Sequence, residues 1–185
     1  MKSDDARPPR DSATTGDPEV RERRVARVVV IDPQDRVLLF DTHLTYTRVW
    51  MTPGGGLKPG ETHEQGAARE LWEEAGFEGV AMSPCIWTVR FHFMHNGALY
   101  DQQERYFAAR VHTSEISEAH RETLEQTEIL GHRWWTANEL AGSPASFRPH
   151  GLASLLPSIL AGDYPEVPVI ARVEDSAQVV RDRLI

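Results

Sequence analysis

Residues 55–77 read GGLKPGETHEQGAARELWEEAGF, a glycine-rich turn that leads into a short helix with three closely spaced glutamates. At about 100° of rotation per residue, Glu70, Glu73 and Glu74 fall within roughly a 100° arc of one helical face. The apolar side chains occupy the adjoining arc, which we expect to be the core face: Ala67, Ala68, Leu71, Trp72 and Ala75. Because Mg²⁺ and Mn²⁺ favour oxygen ligands, the anionic face can hold a divalent cation.

Signals at both ends of the segment predict where this helix begins and ends. Pro59-Gly60 is typical of a turn, and Thr62 followed by Gln65 predicts a capping box. Gly76 stands where a helix ends in the left-handed conformation. An acidic surface helix is the alternative interpretation, since acidic faces usually only meet solvent. Three clustered like charges repel and do not stabilise a helix, so we favour the metal site.

The segment resembles the Nudix box, the signature of a family of hydrolases that act on nucleoside-diphosphate-linked compounds. Every fixed position of that pattern is filled without an insertion, by Gly55, Glu61, Arg69, Glu70, Leu71, Glu73, Glu74, Gly76 and Phe77. The resemblance covers roughly residues 23–162 and implies an α/β/α sandwich with a mixed central sheet. It also implies that bound Mg²⁺ or Mn²⁺ activates a water, which attacks a phosphorus of a diphosphate.

The resemblance further implies roles for individual residues of the box. The expected metal ligands are the carboxylates of Glu70, Glu73 and Glu74 and the backbone carbonyl of Gly55. Glu70 is either a third carboxylate ligand or the base that activates water. Arg69 and Glu61 are expected to form an ion pair that orients the glutamates. The alternative for that pair is an ordinary surface salt bridge, which contributes little.

Family members often recruit another acidic residue from a loop well downstream of the box. The acidic stretch ahead of Trp134-Trp135 offers Glu118, Glu122, Glu125 and Glu128. We choose Glu128 because it lies nearest the strand that we predict around the two tryptophans. The other acidic side chains of this stretch are expected to be solvated.

Basic and aromatic residues near predicted sheet edges and the box loop are candidates for binding the substrate. The basic candidates are Arg27, Arg48, Lys58 and Arg90. The arginine fork suits phosphate because it donates two hydrogen bonds at once. Trp50 is the candidate for stacking on a base, as Phe91 and Phe93 also could, although aromatics at strand spacing are usually core residues.

The rest of the chain predicts strands on both sides of the box helix. Apolar, β-branched segments predict strands at 25–31, 36–40, 86–94, 99–111 and 132–135, and residues 50–56 lead into the box. Asn96-Gly97 predicts a tight hairpin. Short helices are predicted from Ala137, with Thr136 as its cap, and over 151–160. This order favours a mixed sheet flanked by helices.

Composition bounds the class of protein. The chain has 185 residues and a formal charge of −8, which argues against a protein that coats nucleic acid. Its single cysteine, Cys85, cannot form an intrachain disulfide. We expect a disordered tail over 1–19, one domain over 20–171, and a tail over 172–185 with helical spacing. With neither a secretory signal nor a membrane span predicted, a cytoplasmic location is the default expectation.

Three functional hypotheses follow. The leading one is a metal-dependent hydrolase that cleaves a diphosphate linkage in a small nucleotide-type substrate. The second is a nucleotide-sensing module without catalysis, which should have lost box glutamates, and the third is a protein-interaction module. Nucleoside triphosphates, sugar nucleotides, dinucleoside polyphosphates and ADP-ribose all remain open as substrates. The sequence does not fix the oligomeric state, although a homodimer is the commonest soluble assembly.

Overall fold

A mixed β-sheet forms the centre of the molecule in the computed structural model, which describes residues 20–44, 47–121 and 128–170. The strands in these ranges are β1 Val20–Ile31, β2 Val37–Leu44, β3 Thr47–Met51, β4 Gly54–Gly56, β5 Trp87–His95, β6 Ala98–Arg110, β7 Ile129–Trp135, β8 Phe147–Arg148 and β9 Val169–Ile170. The helices are α1 His63–Ala75, α2 Ala137–Gly142 and α3 Leu152–Leu160. No helix in the described ranges is long and apolar enough to cross a membrane.

Strand β1 is the central strand on which the site is built. The sheet runs β8-β3-β2-β1-β6-β5-β9, with β4 also paired to β1 and β7 to β2. β1 lies parallel to β6 along its whole length and antiparallel to β4. The predicted hairpin of β1 and β2 therefore closes only at Ile31 and Val37, because β4 occupies that edge of β1 further on.

Helices cover both faces of the sheet, which confirms the predicted α/β/α arrangement. On one face α1 packs through Leu71 onto a cluster that contains Val28 and Val30 of β1. On the other face α3 packs through Leu156 onto a cluster that contains Val29. Alternate residues of β1 therefore enter opposite cores, as expected for a strand buried on both sides. Burying each such side chain contributes about 1.5–3 kcal/mol.

Local predictions were confirmed where short-range chemistry decides the conformation. Asn96 and Gly97 take φ values of 48° and 77°, and they join β5 to β6 as an antiparallel hairpin. Thr136 caps α2, with its hydroxyl accepting from the Glu139 amide. Strand limits were less accurate: β1 begins five residues and β7 three residues before the predicted start. Each extension pairs with a strand remote in sequence, which local composition does not reveal.

The predicted core face of α1 was partly wrong. Ala68 is exposed, and Trp72 is 37% exposed with its ring stacked on His120 at a centroid distance of 4.2 Å. The buried arc is rotated toward the glutamates because α1 packs against both the sheet and the glycine backbone of β4. Because α1 packs against two surfaces, the sheet and β4, it buries both apolar and polar side chains.

Some predictions fall outside the described residues. These are the tails 1–19 and 172–185 and the acidic candidates Glu122 and Glu125. The domain limits of 20–171 remain a prediction.

Candidate active site

The glycine turn and α1 are fixed at both ends by the capping interactions that the sequence predicts. The Thr62 side chain accepts from the Gln65 amide, and the Gln65 side chain accepts from the Thr62 amide. At the other end Gly76 has φ 76°, and its amide donates to the Trp72 carbonyl. These two caps hold the helix start and end, so the three glutamates keep a fixed register against β4.

All three box glutamates are buried, and two of them, Glu70 and Glu74, lie against the glycine backbone of β4. Glu70, Glu73 and Glu74 are 4%, 8% and 6% exposed. The Glu74 carboxylate accepts from the Gly54 amide at 2.7 Å. A β-carbon on Gly55 would lie 2.6 Å from Oε1 of Glu70, so only glycine leaves room for that carboxylate. The carboxylates of Glu70 and Glu74 therefore lie where the chain has no side chains to exclude them.

Arg69 binds most of the surrounding groups through one guanidinium. Its Nε donates to Glu61 at 2.7 Å, and its Nη1 donates to Glu70 at 2.7 Å and to Glu73 at 2.8 Å. Its Nη2 donates to the Gly56 carbonyl at 2.9 Å. The hydrogen bonds to these acids raise the pKa of Arg69. The hydrogen bond from Arg69 lowers the pKa of Glu61 to about 2. The expected ion pair of Arg69 and Glu61 is therefore present and extends to two box glutamates.

The chemistry of these groups fits a hard divalent cation. Carboxylate oxygens and a backbone carbonyl are the ligands that Mg²⁺ and Mn²⁺ prefer. As arranged, Glu73 also meets the Lys58 ammonium at 3.1 Å. In the described ranges no group of three or more acidic, histidine or cysteine side chains is already set as a metal site. Gly55, Glu70, Glu73 and Glu74 could hold a cation once Arg69 and Lys58 yield some of their contacts.

Of the two predicted positions for the basic candidates, a sheet edge or the box loop, Arg27 has the second: it lies inside the sheet, beside the glycine turn. β1 has hydrogen-bonded neighbours on both edges, and the Arg27 side chain is only 11% exposed. The Arg27 guanidinium donates to the Gly54 carbonyl and approaches Glu104 at 3.9 Å. Its Nε is buried with no hydrogen-bond partner among the described residues. Arg27 therefore links the box backbone to a second buried acid.

Arg48 and Arg90 are exposed and already paired with acids of neighbouring strands. Arg48 of β3 binds Asp41 through two nitrogens, and Arg90 of β5 binds Asp101 at 2.9 and 2.7 Å. Trp50 packs edge-to-face on Trp135 at 5.1 Å, as a core residue does. Of the predicted substrate-binding residues, Lys58 lies within the box and contacts Glu73, and Arg27 contacts the Gly54 carbonyl next to the box.

A second buried polar cluster adjoins the box and was missed by sequence reasoning. Glu104 of β6 is 5% exposed and accepts a hydrogen bond from the Tyr106 hydroxyl at 2.6 Å. The Gln102 side chain donates to its other oxygen. Burial raises the pKa of Tyr106, so the phenol keeps its proton as donor. Glu104 and Tyr106 line a cavity of about 500 Å³ together with Arg148.

The NUDIX domain model matches residues 21–157. This chain belongs to the Nudix family. Relatives include diphosphoinositol polyphosphate phosphohydrolase 3-alpha of Mus musculus, which is 35% identical over 65 residues. That match covers 35% of this chain and 40% of the relative, so the chain spans less than half of the relative's length.

Solved structures with the Nudix architecture resemble this chain over most of its length. The dihydroneopterin triphosphate pyrophosphohydrolase of E. coli gives a TM-score of 0.58 at 20% identity, covering 78% of this chain and 99% of that chain. The MutT protein from Methanosarcina mazei Go1 gives 0.57 at 16% identity, covering 78% and 97%. At these identities the similarity shows the fold, a mixed curled sheet with few helices.

Glu128, the predicted acid outside the Nudix box, is exposed and directly precedes β7. Burial and the neighbouring Arg27 lower the pKa of Arg23, whereas the charges of Glu104, Glu70 and Glu128 act in the opposite direction. The charge of Glu128 therefore acts on Arg23, as does the charge of the box glutamate Glu70.

The sequence did carry a signal for the missed cluster next to the Nudix box. Gln102, Glu104 and Tyr106 alternate along β6, which places them on one face of a strand in the middle of the sheet. Polar residues at alternate positions of a strand that should be buried indicate a functional face, because buried polar groups need partners.

Proposed function

We propose that this Nudix protein is a metal-dependent pyrophosphohydrolase that cleaves a diphosphate linkage in a nucleoside diphosphate derivative. The burial of three neighbouring box carboxylates, two of them against the side-chain-free backbone of β4, carries this proposal. Placing like charges together out of water is costly unless cations compensate them. Arg69 and Lys58 compensate part of this charge, and a divalent cation would compensate the remainder.

The box residues would bind the metal, accept a proton from water and orient one another. Glu73, Glu74 and the Gly55 carbonyl would hold Mg²⁺ or Mn²⁺, with Glu70 as a further ligand or as the acceptor of the proton from water. The cation, when bound, lowers the pKa of water and neutralises charge on the diphosphate. Arg69 keeps two glutamates oriented through its planar fork, and Glu61 in turn holds Arg69.

The substrate's phosphates would meet basic groups beside the box. Lys58 is half exposed and contacts Glu73, so it can turn to a phosphate oxygen without unfolding the turn. Arg27 lies behind the Gly54 backbone and holds it in place. We propose Glu128 as an additional acid and keep Arg48 and Arg90 as substrate candidates that would first have to leave their aspartates. Such a reaction requires positioning and charge stabilisation, not a side-chain nucleophile.

A nucleotide-sensing module without catalysis is the alternative. A sensor has no need for the box glutamates, whereas this chain retains all three in buried, hydrogen-bonded positions. The relatives named for diphosphoinositol polyphosphates extend the substrate question to inositol pyrophosphates. A cytoplasmic location and a homodimer remain predictions.

The test compares wild type with a Glu73→Gln, Glu74→Gln double variant on a panel of nucleoside triphosphates, sugar nucleotides, dinucleoside polyphosphates, ADP-ribose and an inositol pyrophosphate. Release of phosphate or nucleotide should require Mg²⁺ or Mn²⁺ and fall more than about a hundredfold in the variant. The reason is that even the outer partners of metal ligands affect function by roughly 10–100-fold. Glu78→Gln, an exposed acid just past α1, is the matched control and should keep full activity.

Mn²⁺ titration followed by thermal unfolding gives a readout besides turnover. Wild type and Glu78→Gln should be stabilised by the cation, and the double variant should not be. Equal activity or equal stabilisation in the double variant would contradict the proposal. Tight nucleotide binding without turnover on any compound would favour the sensor.

A further inference from the structure

The last turn of α1 contacts a segment that is remote from it in sequence. Residues 116–121, which we call the support segment, lie between β6 and β7. The last carbonyls of a helix have no partner inside the helix and need one from elsewhere. The Ser117 amide donates to the Ala75 carbonyl at 2.9 Å. Nε of Arg121 donates to the Glu74 carbonyl at 3.0 Å, so the support segment fixes the backbone at the end of α1.

Arg121 makes its contact with α1 from a buried position. It is 8% exposed, and its guanidinium carbon lies 4.8 Å from the centre of the Phe40 ring, close enough for a cation–π contact. Phe40 belongs to the core cluster that also contains Leu71 of α1. The guanidinium further meets the Glu118 carboxylate, with 3.0 Å between Nη1 and Oε1. A buried cation needs such partners to compensate for its lost water, and Arg121 finds them in α1, β2 and the support segment.

The support segment follows the surface of the turn beyond these two hydrogen bonds. A β-carbon on Gly76 would lie 2.6 Å from the β-carbon of Ser117, so the glycine leaves the space that the segment fills. One turn earlier, the Trp72 ring stacks on His120 at a centroid distance of 4.2 Å. The glycine of the box pattern therefore both ends α1 and admits the support segment.

Glu74 is held through both its backbone and its carboxylate. Arg121 binds its carbonyl, and the Gly54 amide donates to its carboxylate at 2.7 Å. Glu73 precedes it in the same turn of the helix. A shift of the last turn would move both carboxylates together, because they are attached to one continuous stretch of helix. The backbone contact from Arg121 opposes such a shift.

We propose that Arg121 is a positioning residue for the Nudix box, which sets the carboxylates of Glu73 and Glu74 by fixing the last turn of α1. Displacing a positioned group by about 1 Å can reduce activity about a hundredfold, so a contact to the helix backbone affects the reaction without touching the substrate. This inference rests on the proposed function for the reaction. The order of the turn and the affinity for a metal ion can be measured without turnover.

A purely structural arginine is the alternative. In that role Arg121 would contribute only to the core, through the packing of its stem and its contact with Phe40. That role predicts a less stable protein in which the folded molecules keep a wild-type site. Three properties of the folded molecules distinguish the two roles: the order of the last turn of α1, the affinity for Mn²⁺ and kcat.

The first test follows amide hydrogen exchange of wild type and Arg121→Gln in EDTA, so that no metal binds. Residues 71–77 should exchange about tenfold faster in the variant, because a hydrogen bond from a charged donor to the turn is lost. The first turn of α1 should not change, since the capping box of Thr62 holds it independently. Arg110→Gln is the matched control: Arg110 donates to the Leu160 carbonyl at the end of α3, the same kind of contact away from the box. Exchange of α1 in this control should equal that of wild type.

Mn²⁺ titration and steady-state kinetics measure the effect on the site. Arg121→Gln should weaken Mn²⁺ binding by roughly 10–100-fold, as the loss of an outer partner of metal ligands typically does. On a compound that wild type cleaves, kcat should fall by a similar factor while KM changes by less than about threefold, because Arg121 acts on the helix backbone and not on the substrate. Arg121→Lys keeps the charge but loses the planar fork that binds Glu74 and Glu118 together, so it should restore stability more than kcat. Arg110→Gln should match wild type in both measurements.

The positioning role and the proposed function fail in different ways. Wild-type exchange of the last turn in Arg121→Gln, or unchanged kcat and Mn²⁺ affinity, would overturn the positioning role and leave the hydrolase intact. Faster exchange and weaker Mn²⁺ binding in Arg121→Gln, with no turnover of any compound by wild type, would support the positioning role and overturn the hydrolase. Urea unfolding gives the folded fraction of each variant, and if Arg121→Gln does not fold, Arg121→Lys decides by the same measurements.

Discussion

Replacing Gly55 by alanine tests whether the Glu70 carboxylate depends on the missing side chain of β4. The new β-carbon would lie 2.6 Å from Oε1 of Glu70 and 2.8 Å from its Cδ and Oε2. Real carbon–oxygen contacts are longer than this, so the carboxylate must leave its position. Gly55 does not have a positive φ, so alanine fits the backbone and the strain falls on the side chain of Glu70.

The size of the effect follows from that displacement. A shift of about 1 Å in a positioned group can reduce activity about a hundredfold. The Arg69–Glu70 hydrogen bond, now 2.7 Å, would also be disturbed. Stability should fall by no more than about 2 kcal/mol, because the about 1–3 kcal/mol cost of overpacking is partly offset by the lower chain entropy of alanine. We therefore expect a large loss of activity in a folded protein.

The assay is steady-state hydrolysis of whichever panel compound wild type cleaves, together with Mn²⁺ affinity and urea unfolding. Gly56→Ala is the matched control, since a β-carbon at that neighbouring position meets only one Arg23 nitrogen, at 3.9 Å. Gly56→Ala should retain activity within about threefold, which is less than 1 kcal/mol in barrier height. Wild-type activity in Gly55→Ala, or an equal loss in both variants, would refute the reasoning.

Three further predictions concern α1 and the ion pairs of the box. Glu61→Gln should cost about 1 kcal/mol at pH 7, less than the about 3 kcal/mol of the full pKa shift because the Glu61 side chain is 19% exposed. Because Arg69 depresses the pKa of Glu61 from 4.5 to about 2, this stability is present above pH 4.5 and is lost as the pH falls toward 2. Urea unfolding at pH 7 and pH 3 should show the difference from wild type shrinking, and a difference that grows would contradict it. Arg69→Lys keeps the charge but loses the planar fork that spans Glu61, Glu70 and Glu73, so activity should fall by roughly 10–100-fold, and unchanged turnover would argue against its positioning role. Leu71→Ala should cost about 2–5 kcal/mol of unfolding free energy, whereas Trp72→Ala, on the exposed face, should cost less than about 1 kcal/mol; chemical denaturation of the two side by side checks the rotation of the helix.

The predictions from sequence succeeded for the box and failed for what surrounds it. Thr62, Gln65 and Gly76 cap α1 as predicted, because capping depends on groups within a few residues of each other. Trp72 was placed in the core because periodicity alone gives one apolar arc. Periodicity does not show that β4 buries the glutamate face of α1 and leaves Trp72 partly exposed.

The sequence by itself determined the family, the box helix and the cluster of three glutamates, because each follows from residues at short, fixed spacing. Only the tertiary structure decided which residues outside the box stand near it. The parallel pairing of β1 and β6 brings Arg27 beside Glu104. The pairing of β8 with β3 brings Arg148 to the cavity that Glu104 also lines. These residues lie far apart in the chain, and their meeting depends on strand order and register, which no local pattern encodes.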